Sequence, residues 1–443
     1  MIDFSVEPEF QAKLDWMDKF VREECETMDL IWPEMAANFD TSIKDARRHL
    51  KPLQDQVKAQ GLWACHLGPN LGGPGYGQVK LALMNEIIGR SNWAPTIFGT
   101  AAPDTGNAEI LAMFGTSEQK QKYLGPLMDG DIVSCFSMTE PQGGADPGEF
   151  TCKATLVKNE AGEDMWEIEG YKWFSSNAKL AAFILVLCVT DPEAKLTERM
   201  SMFIVPTETP GINILRNVAI AGDVDPENGH HAHIHYDKVR VPYDHLLGEI
   251  GGGFKVAQAR LGGGRIHHAM RTVGRCQRAF DMMLERAVSR RTRGRMLGDH
   301  QMVQSKLADS IIQLEQFRLL TLKTAWIIDE VEAGRMPHGA ARNHIGMCKI
   351  AMPALYKDVV GRALEIHGSL GISLDMPLAM SYAGHWSLAF ADGPTDAHKS
   401  QLARAYMKKA TPAPGLFPSE HIPTRTAAAR SRYPNARDDW KDS

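Results

Sequence analysis

The sequence contains no apolar run long enough to cross a membrane as a helix. Its longest, Leu180 to Val189, has ten residues, about half of the roughly 20 such a span needs. Cysteine is sparse: seven in 443 residues, at positions 25, 65, 135, 152, 188, 276 and 348, and nowhere spaced as Cys-x-x-Cys. An odd, scattered set excludes a disulfide scaffold and reads as reduced, mostly buried thiols of a cytosol-like compartment. A surplus of positive charge is also missing. Lys+Arg 49 against Asp+Glu 54 gives a net charge of -5, which argues against nucleic acid as a partner, because phosphate neutralisation wants a basic surface. The acidic start, MIDFSVEPEF, lacks the basic-then-apolar order of a signal peptide, and no peroxisomal signal ends the chain, so a cytoplasmic location is expected. No Gly-Lys-Ser/Thr follows any glycine run. Gly251–Gly253 and Gly262–Gly264 precede helices without the strand context of a dinucleotide fingerprint, so any dinucleotide binds here without a Rossmann fold.

What is present is an ordinary globular composition, 44% hydrophobic and 23% charged, with length for about three domains. Three textures follow one another. Residues 1–131 read helical, with Thr116-Ser-Glu-Gln119 as a capping box opening a short helix that stops at Gly130. GPNLGGPGYG (68–77) reads as a loop. Over 132–247, the runs IVSCFSM, MWEIEGYKWF, FILVLCV, SMFIVP, HAHIHY and KVRVP alternate with turn residues and predict a small β domain. From 248 to 410 the pattern is helical again. Ile266, Met270, Val273, Phe280, Met283, Leu284, Ala287 and Val288 form one stripe, and further segments lie near 302–333, 339–366 and 394–409. Residues 411–443 hold five prolines and no long apolar pattern; they read as a tail, mobile or lying against another subunit.

Several groups invite a chemical reading. His231, His233 and His235 alternate on a predicted strand and share a face. Histidines so spaced suit a metal, but no acidic partner sits nearby, and surface or interface histidines with no metal are the reading adopted. Arg286, Arg290, Arg291, Arg293 and Arg295 crowd five guanidinium groups into ten residues. They are either a solvated helix end or an anion site for a pyrophosphate. Cys135-Phe-Ser-Met-Thr-Glu-Pro runs a strand into a small-residue loop, and Gly170-Tyr-Lys-Trp-Phe-Ser-Ser-Asn-Ala178 ends a strand with two aromatics and then hydroxyls. Rings that stack and hydroxyls that bond a polar edge suit a flavin; a buried strand and a turn explain them equally well.

CFSMTEP with GGAD, GYKWFSSNA, VPYDHLLGEIGGGF, LGGGRIHHAMRTVG, SRRTRGRMLGDHQ, RALEIHGSLGIS and ADGPTDAHKSQLAR occur in the order that resembles an acyl-CoA dehydrogenase, over roughly residues 10–409. The resemblance is greatest to the branch with GRIHH and Ala-Asp-Gly-Pro. It implies an α+β fold: a helical N-terminal domain, a central β-barrel and a C-terminal four-helix bundle, with FAD between the subunits of a homodimer or homotetramer. It implies that Phe136, Met138 and Thr139 line the flavin ring, with Phe174 and Ser176 meeting its other side. Arg290 and Gln301, with the backbone from Glu365 through Gly368 to Ser369, are expected at the FAD pyrophosphate of a neighbouring subunit. Ala145, Arg265 and Gly393 fall on the substrate side, and Asp104 to Asn107 either close the acyl pocket or cap a helix. The implied activity is desaturation of an acyl-CoA in β-oxidation, with electrons leaving to an electron-transfer flavoprotein.

The implied base is Asp392, whose own amide would donate to the thioester oxygen. Where one branch of the family places its base before the helix arginine, this chain has Gly264, which cannot serve. Asp is one methylene shorter than Glu, withdrawing the carboxylate by ~1.5 Å. Other departures are Phe174 for a frequent Trp, Glu365 for Gln, Ser369 for Gly and Ala145 for Ser. A carboxylate at position 365 is unfavourable beside a pyrophosphate unless turned away or neutralised. Two alternatives remain open: a flavin oxidase or lyase, because nitroalkane-oxidising relatives also use Asp, and a non-catalytic FAD- or acyl-CoA-binding protein.

Overall fold

The computed structural model describes residues 4–31, 49–220 and 231–434. Two compact units arise, Met1–Lys399 and Ser400–Ser443. In the first, helix α1 (Pro8–Phe20) begins with proline inside its first turn and buries Phe10, Leu14, Met17 and Phe20, a three-and-four spacing that gives one apolar stripe. Helices α2 (Lys51–Ala59), α3 (Gln78–Ile88) and α4 (Asp104–Phe114) follow. The capping box forms as expected: the Gln119 amide donates to Thr116 Oγ1 at 3.2 Å, and the Thr116 amide donates to Gln119 Oε1 at 3.1 Å. The helical run from Ser117 ends at Met128, just before left-handed Gly130.

The strands are β1 (Ser134–Ser137), β2 (Lys153–Lys158), β3 (Asp164–Ser176), β4 (Phe183–Val189), β5 (Met200–Pro206), β6 (Ile212–Val218), β7 (His231–Pro242) and β8 (Leu246–Leu247). They form one barrel-like sheet in the order β6-β7-β3-β1-β4-β5-β8, with β2 pairing both β3 and β4. Thus β3 and β4 splay apart, and β1 fills one end of the gap and β2 the other. HAHIHY and KVRVP prove to be a single strand, β7. β2 and β6 went unread in the sequence because they face solvent for most of their length and lack a continuous apolar run.

Beyond the sheet come α5 (Gly253–Ser289), α6 (Gln301–Glu332), α7 (Arg342–His367), α8 (Leu378–Phe390) and, from Thr395, α9 (Thr395–Met407). α8 was not anticipated. Only Leu378, His385 and Leu388 of it are buried, so no clear stripe marks it. The two helical stretches share one apolar core, in which Phe10, Met17, Trp93 and Phe98 join Ile266, Met270, Phe317, Met352 and Leu388. α3 meets α5 backbone to backbone: a β-carbon on Gly274 would lie 1.9 Å from Glu86 O, and one on Gly89 2.1 Å from Arg271 O. Glycine is obligatory at that crossing. One face of the sheet packs Trp166, Ile184, Ile234 and Tyr236 together; the other packs Phe183, Leu185 and Met202 on Leu111 of α4 and Val256 of α5. α5 therefore touches every layer of this unit.

All seven cysteines are buried and free, and no described helix is long and apolar enough to cross a membrane. The second unit contains a helix, α10 (Ile422–Arg432), where the sequence suggested only a tail.

Candidate active site

The two strand ends singled out in the sequence meet across the sheet. Phe136 of β1 pairs with Ser176 of β3, the Trp173 amide donates to Thr139 O at 2.7 Å, and the Ser137 and Ser175 hydroxyls lie 2.8 Å apart. Lys172 locks the join from beneath, donating to Met138 O at 2.8 Å and Glu140 Oε1 at 2.9 Å. The Glu140 carboxylate also accepts from the Thr151 and Cys152 amides at 2.7 and 3.0 Å. Burial pushes this carboxyl up, but Lys172 and the amides outweigh it and hold it below the usual range. Phe174 stands in the left-handed region with φ 55 and is 40% exposed. The Ser176 hydroxyl lies 2.8 Å from His231 Nδ1. A half-exposed ring, an adjacent hydroxyl and backbone carbonyls already occupied by Lys172 and Trp173 give a wall with one apolar and one polar edge. That chemistry fits a planar heterocycle such as a flavin.

His231, His233 and His235 share the exposed face, and each meets an aromatic ring of β3: Phe174 at 5.0 Å, Trp173 at 5.1 Å and Tyr171 at 4.4 Å. Among the described residues no three metal-ligating side chains gather in one place.

On the other wall, Asp392 sits between α8 and α9 with φ 56, followed by Gly393 with φ 101. Its side chain is 13% exposed, with Oδ2 3.7 Å from His268 Nε2. A β-carbon on Gly264 would come within 3.1 Å of that oxygen. The carbonyl of Asp392 accepts from Arg265 Nε at 2.9 Å and His398 Nε2 at 3.2 Å. Its amide donates to none of the described residues. α9 starts three residues later, at Thr395. Burial lowers the His268 imidazole to about 4, against the pull of Asp392, so it is neutral at pH 7. Burial also takes Lys349 down to about 8, although Asp392 opposes it.

Arg260 belongs to the Phe136 side: its guanidinium lies 3.9 Å from the centre of the Phe136 ring and its Nε donates to Asn107 Oδ1 at 3.0 Å. Burial lowers its pKa, with the charge of Asp392 opposing that shift. Asn107 in turn donates to Ser134 Oγ at 2.9 Å, and Asp104 accepts from the Ser134 amide at 2.7 Å. Asp104 and Asn107 together tie α4 to β1. No role was assigned from the sequence to Arg260, His268, His398, Lys172 or Glu140. One signal was available for the first two: residues 260, 264, 268 and 271 recur at helical spacing and carry Arg, Gly, His and Arg.

Arg265 meets the backbone of Asp392 directly. Ala145 is exposed in the loop after β1. The remaining expected cofactor contacts lie elsewhere on the surface. Arg290 follows the end of α5, Gln301 opens α6, and Glu365, Gly368 and Ser369 lie at the end of α7 and just beyond it, all exposed. Lys306, one helical turn past Gln301, forms an ion pair with Glu365. The carboxylate that is unfavourable beside a pyrophosphate is thereby neutralised.

Three family models match the chain: acyl-CoA dehydrogenase N-terminal domain over 7–131, middle domain over 135–238 and C-terminal domain over 251–407. The chain is 39% identical over 365 residues to the probable acyl-CoA dehydrogenase FadE2 of Mycobacterium tuberculosis, covering 81% of this chain and 86% of that protein. It is 38% identical over 359 residues to acyl-CoA dehydrogenase family member 11 of Rattus norvegicus, covering 80% of this chain but 44% of that protein. The chain thus spans less than half the length of that relative. A structure of a putative acyl-CoA dehydrogenase from Mycobacterium abscessus superposes with TM-score 0.81 at 33% identity, covering 91% of this chain and 99% of the other. With three family models in sequence along the chain and the matching helical, barrel-like and helical order, this chain belongs to the acyl-CoA dehydrogenase family.

Proposed function

We propose that this protein desaturates an acyl-CoA thioester between its α and β carbons, with Asp392 removing the α-proton. The observation that carries the reading is the placement of the Asp392 carboxylate: mostly enclosed, against side-chain-free Gly264 and beside the His268 ring. Phe136, Met138, Thr139, Phe174 and Ser176 would hold the ring of FAD, the family's cofactor. When bound, FAD supplies the acceptor for the β-hydrogen and passes electrons on to a separate carrier such as an electron-transfer flavoprotein.

The rest of the chemistry belongs to the chain. A thioester α-proton is too weakly acidic for a carboxylate in water, so the carbonyl must be polarised by fixed donors. The amide of Asp392, which donates to none of the described residues, is such a donor beside the base. Gly264 leaves room for the substrate's α-carbon, because any side chain there would press on the carboxylate. The neutral His268 ring beside Asp392 adds bulk and excludes water without adding a charge.

Arg290 and Gln301 would serve a pyrophosphate on a second copy of the chain. Arg265 lies on α5 and Arg290 just past its last residue, so the helix between them sets them about 38 Å apart. One subunit therefore cannot bring its own Arg290 to the end of the cofactor that lies beside its Arg265.

The test is anaerobic titration of the FAD-loaded protein with saturated acyl-CoA thioesters of increasing chain length, following flavin absorbance. One or more should bleach the flavin, and Asp392→Asn should keep its FAD while slowing bleaching by about 10³-fold or more. Bleaching unchanged in Asp392→Asn overturns the assignment of the base. Bleaching by nitroalkanes alone, with peroxide formed in air, replaces desaturation by oxidase chemistry.

A further inference from the structure

The turn that carries Asp392 is held at three of its carbonyl groups. Lys349 Nζ donates to Leu388 O, Thr395 Oγ1 to Ala389 O at 3.2 Å, and Arg265 Nε and His398 Nε2 converge on Asp392 O at 2.9 and 3.2 Å. Between these anchors the backbone passes through two successive left-handed residues, Asp392 and Gly393. Asp tolerates that region better than most residues, but it is uncommon there and is kept only when the surroundings impose it. His398 is 9% exposed. A carbonyl only accepts, so Nε2 carries the proton. A β-carbon on Gly393 would stand 2.8 Å from that same nitrogen, so the ring fits against the bare backbone of the turn.

We infer that His398 is a positioning residue for the base: its Nε2–H, with Arg265, clamps the Asp392 carbonyl and so fixes where the carboxylate points. The reason lies in the length of the side chain. Asp has two side-chain torsions, so its oxygens go where its backbone goes, whereas a longer acid could correct a misplaced backbone with a third torsion. A short base moves the burden of alignment from side chain to main chain, and His398 is the contact from α9 that bears it. The inference rests on Asp392 being the base.

The experiment uses the FAD-loaded full chain and the acyl-CoA that bleaches it fastest. His398→Leu keeps bulk and removes the donor; His398→Gln restores an N–H at similar reach. A displacement of about 1 Å at a reacting group can cost about 10²-fold. His398→Leu should therefore lower the limiting bleaching rate by about 30- to 100-fold, with the flavin spectrum and the affinity for a non-reducing thioester analogue unchanged. The isotope effect with α-deuterated substrate should rise, because proton removal becomes more fully rate-limiting, and His398→Gln should recover most of the rate. Gly393→Ala attacks the same contact from the other side and should lower the limiting bleaching rate as His398→Leu does.

Full-rate bleaching in His398→Leu overturns the inference, as does equal loss in the Leu and Gln variants with no change in isotope effect. Asp392→Asn separates the two levels. If that variant bleaches normally, the base assignment has failed; if it is dead while His398→Leu is fast, only the clamp has failed.

Discussion

Lys172 and Glu140 have side chains 0% and 1% exposed, and together they fasten the loop after β1 to the end of β3. Two charges held so far from water do not by themselves make the fold more stable than an apolar pair would, because the cost of dehydrating both offsets their attraction. Removing one alone is different, since the other is left charged and unpaired. Lys172→Met should lower the free energy of unfolding by about 3–5 kcal/mol, read from equilibrium urea unfolding. The double variant Lys172→Met, Glu140→Gln should recover part of that, because Gln is uncharged and its one oxygen still accepts from one of the Thr151 and Cys152 amides. If the double variant is as unstable as the single one, the loss comes from packing and not from the stranded carboxylate. Glu365 shows why such pairs escape a reading by sequence. It looked like a misplaced acid beside an anion, and its neutralising partner, Lys306, lies 59 residues away.

Among the elements, α3 depends on a residue that its own segment does not contain. It starts after Gly77, with no capping side chain of its own. The Asp329 carboxylate from the end of α6 accepts from the Gln78 and Val79 amides at 2.6 and 3.0 Å. An acid at a helix start satisfies orphan donors and the positive end of the dipole together. Asp329→Ala should cost about 1–2 kcal/mol, with faster amide exchange confined to the first turn of α3; a loss spread evenly over α3 would contradict this cap. The regular stripes of α1 and α5 and the Thr116 capping box are local chemistry and could be read directly. α8, β2 and β6 could not, because an element only lightly buried, or buried on irregular positions, leaves no period in its sequence.

For the whole molecule, acid stability is set by groups buried together around α5. Burial lowers His66 and His268 to about 4 and His267 well below its ordinary value. A histidine depressed in the fold contributes stability that is complete above its unfolded pKa, near 6.5, and is lost as pH falls through the folded value. Glu109 works the other way: burial raises it to about 7, against the opposing charge of Arg260. Its contribution is complete below the unfolded value, near 4.5, and is lost as pH rises through 7. The buried histidines therefore predict a melting temperature that falls as pH drops from 6.5 to 4.5. Glu109→Gln should melt higher than the unaltered protein at pH 8 and at the same temperature at pH 5. Calorimetry at the two pH values checks both statements, and equal shifts at both would remove Glu109 from the account.

The sequence by itself determined the helix–β–helix order, the strand ends at Phe136 and Phe174, and Asp392 as the acid of an Ala-Asp-Gly-Pro turn, because periodicity, turn residues and local motifs are written in neighbouring positions. Only the tertiary structure decided that Arg260 lies over Phe136 and reaches Asn107, that Lys306 neutralises Glu365, and that Arg265 and His398 reach the same carbonyl. Those facts depend on which distant segments close on one another, and that closure follows from the core that α1 shares with α5 to α8 and from the bare glycine contact where α3 crosses α5.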